Sequence, residues 1–352
     1  MRVNPIAVAR HILACLIGLL AVAGPAAPEC HAEDGARPPL AIRLSFDRPI
    51  NAGAAPFVLA SVGGLFGSEG LAVTTDIASG SSDAIARVAK GASDFALVDI
   101  NELIRWRDQP GAAPVKAVFM LFNKSPYAVI ARKSRGIYSL SDLEGKALGV
   151  AEGDLSIRLW PALARQNGIK PATVKLSHVS AAVREPMLSA GQVDAVTGFS
   201  YLSAVNLRDR GVPADDLAVL RYADYGCEAY GFAVIVNPAF AVARPEAVKG
   251  FVRAAIAGTS LTVREPGRAA DEVVARMPDG SRELELARLQ ILIPDNILTG
   301  EVMHNGIGGV DPARLERSID QIAEDFKFRK KPSAADIFDD AFLPPLSGRL
   351  IN

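Results

Sequence analysis

Val73–Gly91, VTTDIASGSSDAIARVAKG, is the stretch that decides the reading of the fold. Its β-branched start predicts a strand, Gly80-Ser81-Ser82 a small-residue turn, and Asp83–Lys90 a helix. A strand that turns directly into a helix is the unit of a layered α/β sheet. Such a turn also aims backbone N–H groups and the positive end of the helix dipole at one point, where the serine hydroxyls add donors. Two readings follow: Gly80, Ser81 and Ser82 hold a small anion or polar ligand, or Ser81 or Ser82 simply caps the helix.

The same grammar extends in both directions. Upstream, Ala41–Asp47 alternates like a strand, Arg48–Ala55 is a Pro/Asn/Gly loop, and Pro56 opens a helix with Leu59, Val62, Leu65 and Phe66 on one face. Downstream come a strand at Asp94–Val98, Asp99-Ile100-Asn101 capping a helix through Arg107, and a strand at Val115–Leu121. This alternation predicts a parallel or mixed sheet covered by helices. Asn123-Lys124-Ser125-Pro126 breaks it, and Tyr127–Ala131 resumes as a strand. Then follow a short capped helix at Ser139–Leu143, strands at Lys146–Val150, Val174–Val179 and Val193–Thr197, and a helix at Ser180–Ala190 that tolerates Pro186 near its start. Gly91–Ala96 (GASDFA) and Gly191–Val196 (GQVDAV) share Gly, Asp and a following strand at a spacing of 100 residues, a weak internal similarity between two lobes. A second crossing lies in Tyr222–Asn237, with a buried-type strand at Phe232–Val236. Helices are expected at Pro245–Val263, Arg268–Met277, Arg282–Leu292 and Pro312–Phe328, and the Ile337–Pro345 tail is expected to pack back on the first lobe.

Arg2 and Arg10 flank an apolar core at Ile12–Val22 that is too short for a stable anchor, and Glu29-Cys30-His31-Ala32 offers a small-residue cleavage site. Residues 1–32 are therefore read as a secretory signal peptide, which places the mature chain in the periplasm. Cys15 and Cys30 leave with it, so Cys227 has no internal disulfide partner. Removing Arg2, Arg10 and Glu29 from 38 basic and 39 acidic side chains leaves a net charge near −2, which argues against nucleic acid as a partner. His178 and His304 are the histidines that remain. His178 reads as packed on its strand and Cys227 as an inert thiol, and neither a metal-binding nor a nucleophile-elbow motif occurs, so no cofactor and no enzymatic activity is expected.

Three segments then carry a resemblance: Phe57–Val73 (FVLASVGGLFGSEGLAV), Gly191–Phe199 (GQVDAVTGF) and Asp224–Asn237 (DYGCEAYGFAVIVN). Together they resemble the NMT1/THI5-like, SsuA/TauA-related class of extracytoplasmic solute-binding proteins that serve ABC importers. The resemblance implies a type II periplasmic binding-protein fold: two α/β lobes, two crossings, and a ligand cleft between them. The expected boundaries are a first lobe over residues 38–123, a second over 124–230, and a return to the first over 231–352. It implies a monomer that closes on a small-molecule solute and is recognised by a permease with its cytoplasmic ATPase.

Loops at strand carboxyl ends would line the cleft. They nominate Asp47, Arg48, Asn51, Gly80, Ser81, Ser82, Asp99 and Asn101 from the first lobe, and Glu152, Asp154, Ser156, Thr197, Phe199, Tyr225 and Glu228 from the second. Where some pyrimidine-binding relatives resemble an Asp-Trp start, this chain has Asp47-Arg48, which exchanges a stacking surface for a guanidinium. An anionic carboxylate or sulfonate is the expected ligand, unless Arg48 is merely paired with Asp47. The alternatives are a neutral nitrogen heterocycle such as a pyrimidine or thiamine precursor, a THI5-like enzyme, and a free-standing ligand sensor.

Overall fold

The structure, a computed structural model, describes residues 38–351 other than 152 and 155. The expected signal peptide and Glu152 lie outside the described residues. Among the described residues, ten strands form two five-stranded mixed sheets. The first sheet has the order β2 (Leu71–Ile77), β1 (Leu40–Phe46), β3 (Phe95–Asp99), β10 (Phe232–Val236), β4 (Lys116–Met120). The second has the order β7 (Lys175–Val179), β6 (Ala147–Ala151), β8 (Ala195–Phe199), β5 (Tyr127–Arg132), β9 (Leu217–Arg221). Each sheet takes its antiparallel strand from the chain arriving from the other: β10 runs antiparallel to β3 and β4, and β5 to β8 and β9.

The 100-residue similarity is a structural repeat. The helix Ser81–Ala89 leads to β3, and the helix Ala181–Ser189 leads to β8. Gly91 (φ 73°) and Gly191 (φ 74°) each take the left-handed conformation just past those helices, where a Cβ is disfavoured. Asp94 Oδ2 accepts the N–H of Arg43 on β1, and Asp194 Oδ2 accepts that of Ala147 on β6, both at 2.8 Å. One Gly-x-x-Asp device thus stops the helix and sets the strand register in both lobes.

Several local expectations change in the fold. The first helix ends at Val62, because Gly63-Gly64 interrupts it before a short turn at Leu65–Ser68, and Val62 is exposed. Pro186 lies within its helix rather than near its start. His178 is exposed, because β7 is an edge strand. The helices Trp160–Gln166 and Ser200–Asp209 and the strand β9 had no expectation attached to them.

The core of the first sheet is anchored by Phe251 of the long helix Pro245–Arg264, whose ring stacks on Phe95 at 4.1 Å and on Phe66 at 5.1 Å between centroids. The tail returns to the first sheet, where Phe338 bridges Ala117. Among the described residues no helix is long and apolar enough to cross a membrane.

Candidate functional site

The carboxyl ends of β1 and β3 and the start of the Ser81–Ala89 helix converge on one side of the first sheet. Asp47, just past β1, is buried and accepts Ser81 Oγ at 2.6 Å. The backbone N–H of Asp99 donates to that same Ser81 Oγ at 3.1 Å. Ser82 Oγ donates to Glu102 Oε1 at 2.6 Å. Neither serine side chain caps the helix; Gly80 (φ 101°) is the N-cap, and the Asp83 carboxylate accepts the Ser79 N–H instead. The capping alternative for Ser81 and Ser82 is thus replaced by two hydroxyls committed to carboxylates.

Across from this wall, the second lobe brings Gly153, Asp154, Arg158, Ala181, Arg184, Gly198, Phe199 and Leu202 to the same cavity of about 410 Å³. Asp154 is filled by its own neighbours: Oδ1 accepts the N–H and hydroxyl of Ser156, and Oδ2 accepts Thr197 Oγ1 and Arg184 Nη1. Arg184 also donates to Glu185, and Arg158 reaches across the cleft to Glu102 at 2.8 Å.

Arg48 is paired with its neighbour in sequence. Its Nε and Nη2 donate to the two oxygens of Asp47 at 2.8 and 2.9 Å, and its guanidinium lies 4.6 Å from the Phe199 ring centroid and 4.5 Å from that of Phe232. Burial opposes the charge, but the Asp47 carboxylate outweighs it and holds the guanidinium protonated. Of the two readings of Arg48, a guanidinium open to an anion or one paired with Asp47, the structure shows the pairing and adds an aromatic contact with the second lobe.

The nominated residues fall into three groups. Asp47, Arg48, Gly80, Ser81, Ser82, Asp154 and Phe199 line the cleft. Asp99, Asn101, Ser156 and Thr197 are fully buried behind it; Asp99 holds Ser81, Ser156 and Thr197 hold Asp154, and Asn101 holds Asp99, while Asn51 caps the turn Ala52–Ala54 and borders a small cavity behind Arg48. Tyr225 and Glu228 lie elsewhere: Asn167 holds the Tyr225 carbonyl, and Glu228 faces Arg314 and Arg317 near the crossings. Glu102, Arg158, Arg184 and Leu202 line the cleft without having been nominated. The 100-residue spacing held the signal for the second-lobe wall, since it maps the Ser81 helix start onto Ala181, three residues before Arg184.

Asp99 is the titrating group of this region. Burial pushes its carboxyl up to about 6, against hydrogen bonds from Tyr127 and Asn101 and the charge of Arg48. Because an unfolded Asp titrates near about 3.9, the stability this group contributes is fully present below that pH and is lost as pH rises through about 6. Lowering the pH from 7.5 to 5 should therefore stabilise the parent relative to Asp99→Asn, which cannot titrate, by roughly 1 kcal/mol. Thermal melts of both proteins across that range check this; a constant gap contradicts it.

A cleft walled by the strand ends of two repeated α/β lobes defines a class of protein, and comparison with known chains agrees. The chain belongs to the NMT1/THI5 like family, which it matches over residues 51–269. Among its relatives is the riboflavin-binding protein RibY of Chloroflexus aurantiacus, 29% identical over 302 residues that cover 81% of each chain. Another is the 4-amino-5-hydroxymethyl-2-methylpyrimidine phosphate synthase of Legionella pneumophila, 26% identical over 61% of this chain and 66% of that one. Solved structures with the same fold include the periplasmic aliphatic sulphonate binding protein SsuA of Escherichia coli (TM-score 0.68, 16% identity, 85% of this chain and 91% of that one). The periplasmic nitrate-binding protein NrtA of Synechocystis also shares it (TM-score 0.66, 11% identity, 88% of each chain). The fold is that of the type II periplasmic binding proteins.

Proposed function

We propose that this chain is an extracytoplasmic solute-binding protein. It closes its two lobes around a small organic molecule and delivers it, as a monomer, to the permease and ATPase of an ABC importer. Support comes from the fold and from the cavity, to which each lobe contributes one wall.

One observation carries the choice of ligand class: each arginine lining the cleft already sits on a carboxylate of this chain. Arg48 holds Asp47, Arg158 holds Glu102, and Arg184 holds Asp154 and Glu185. An anion that drew these cations away would strand carboxylates that are themselves buried, at a cost somewhat below the about 3–5 kcal/mol of a fully buried pair, because Arg48 and Arg158 are 30% and 44% exposed. A ligand without net charge, offering hydrogen-bond donors and acceptors to the polar wall and an apolar face to Ala151, Ala181, Phe199 and Leu202, meets no such penalty. A nitrogen heterocycle has this character, and the two relatives are named for a flavin and a pyrimidine. This reading favours the heterocycle over the anionic carboxylate or sulfonate expected from Arg48.

The test is mass spectrometry of the compound that copurifies, with a thermal-shift panel of riboflavin, 4-amino-5-hydroxymethyl-2-methylpyrimidine, an alkanesulfonate and nitrate. The expected result is stabilisation by a heterocycle and recovery of that compound unchanged after hours of incubation. Stabilisation by the sulfonate or nitrate alone overturns the ligand class. Conversion of the bound compound makes the chain an enzyme.

A further inference from the structure

The two crossings between the sheets, residues 121–126 and 222–231, run side by side. Gly231 N–H donates to the Phe122 carbonyl at 2.9 Å and Ser125 N–H to that of Ala229 at 3.1 Å. The contact requires a glycine, because a Cβ at position 231 would lie 2.8 Å from Phe122 Cβ and 3.1 Å from the Lys124 carbonyl oxygen.

Onto this pair comes one side chain from a third segment. Arg314 belongs to the helix Pro312–Ala323, and only 11% of its side chain is exposed. Its Nε donates to the Glu228 carbonyl at 3.0 Å, and its Nη2 to the carbonyls of Asn123 at 2.9 Å and Ala229 at 3.4 Å. Its Nη1 donates to Asn123 Oδ1 at 3.2 Å and Glu301 Oε2 at 2.9 Å. A guanidinium has five N–H donors, and all five find acceptors, four of them on the two crossings. The cation also lies 3.9 Å from the Tyr230 ring centroid, and the Tyr230 hydroxyl joins Glu301 to the Asp311 N–H. The first crossing is held further by Asn296, in a π-helical turn at Ile293–Ile297, and by Thr299, whose hydroxyl donates to Asn123 Oδ1.

We infer that Arg314 is the positioning residue of the hinge: it sets the spacing and twist of the two crossings, and hence the angle between the lobes, without touching the ligand. The planar fork matters as well as the charge. A lysine carries three donors on one nitrogen and cannot span Asn123, Glu228 and Ala229 together. The inference rests on hinge closure as the mode of action, but its test needs no ligand, so the two can fail separately.

The test places spin labels at Tyr138→Cys and Val242→Cys, which are 66% and 84% exposed and flank the second and first sheets, in a Cys227→Ala background. Inter-lobe distance distributions are compared for the parent, Arg314→Lys and Arg314→Met at a temperature well below melting, with circular dichroism to establish folding. In both variants the distribution is expected to shift by several ångströms or to become about twice as broad or more. Arg314→Lys, which keeps the charge beside Tyr230 and Glu301, is expected not to restore the parent distribution. A parent-like distribution in either folded variant overturns the inference. So does loss of folding in both, which would make Arg314 a residue of stability alone.

Discussion

Asp47→Ala is expected to lower the melting temperature by several degrees and to give the cleft a new affinity for simple organic anions. Asp47 accepts Ser81 Oγ and two N–H groups of Arg48, and its side chain is 3% exposed. Removing it leaves a protonated guanidinium between Phe199 and Phe232 with no hydrogen-bonded carboxylate, and leaves the Ser81 hydroxyl without its acceptor. Breaking a buried pair this way costs about 3–5 kcal/mol. Because the Arg48 side chain is 30% exposed, water offsets part of that, and about 2–3 kcal/mol is the expected loss. At roughly 2–4 °C per kcal/mol for a chain of this size, the melt should fall by about 5–10 °C. The same change turns a neutral pair into a net positive site, so ethanesulfonate should stabilise Asp47→Ala more than the parent. Differential scanning fluorimetry with and without ethanesulfonate reads both effects. A variant as stable as the parent and equally indifferent to the anion would show that the pair does not set the charge of the cleft.

Phe251→Ala is expected to have a comparable or larger effect on stability and none on the chemistry of the cleft. The ring is fully buried and lies between Phe95 on β3 and Phe66 in the turn before β2, with Phe57 of the first helix 6.3 Å away. It thus joins the central strand β3 to the first helix and to the Leu65–Ser68 turn. Truncating such a ring removes its burial and leaves a cavity its rigid aromatic neighbours cannot collapse into, at about 3–5 kcal/mol. The melting temperature should fall by roughly 10 °C, and Phe251→Leu should recover part of the loss. A drop of a degree or less would mean that the surrounding helices repack around the gap.

Which parts of this architecture were legible in the sequence follows from how far apart the determining residues lie. The strand–turn–helix unit around Gly80, the Asp99 cap and the buried strand Phe232–Val236 are written in a few consecutive residues, so local propensity and periodicity reveal them. The two crossings were legible because Asn123-Lys124-Ser125-Pro126 and the polar and aromatic run from Tyr222 that gives way at Phe232 interrupt that periodicity. The edge strand β7 misled, since a β-rich run reads alike whether its faces are covered or not, and its place at the sheet edge leaves His178 exposed. Pro186 misled too, because a helix that starts at Ala181 carries the proline in its second turn.

By itself, the sequence determined the alternation of elements, the repeat at a spacing of 100 residues, the points where the chain changes sheets, and the family. Each of these depends on residues within one element or on a match between two short stretches. Only the tertiary structure decided what the cleft is made of. Glu102 meets Arg158 across 56 residues, Arg184 is locked by Asp154 across 30, and Arg314 reaches Asn123 across 191. The charge state of the site follows from those pairings and from the burial of Asp99, because Coulomb and desolvation energies depend on distance and surroundings in space rather than on position along the chain. Arg48 shows the difference most plainly. As one letter after Asp47 it read equally as a guanidinium open to an anionic ligand or as the partner of Asp47. Folded, it is a cation already neutralised by its neighbour and resting on Phe199 of the opposite lobe.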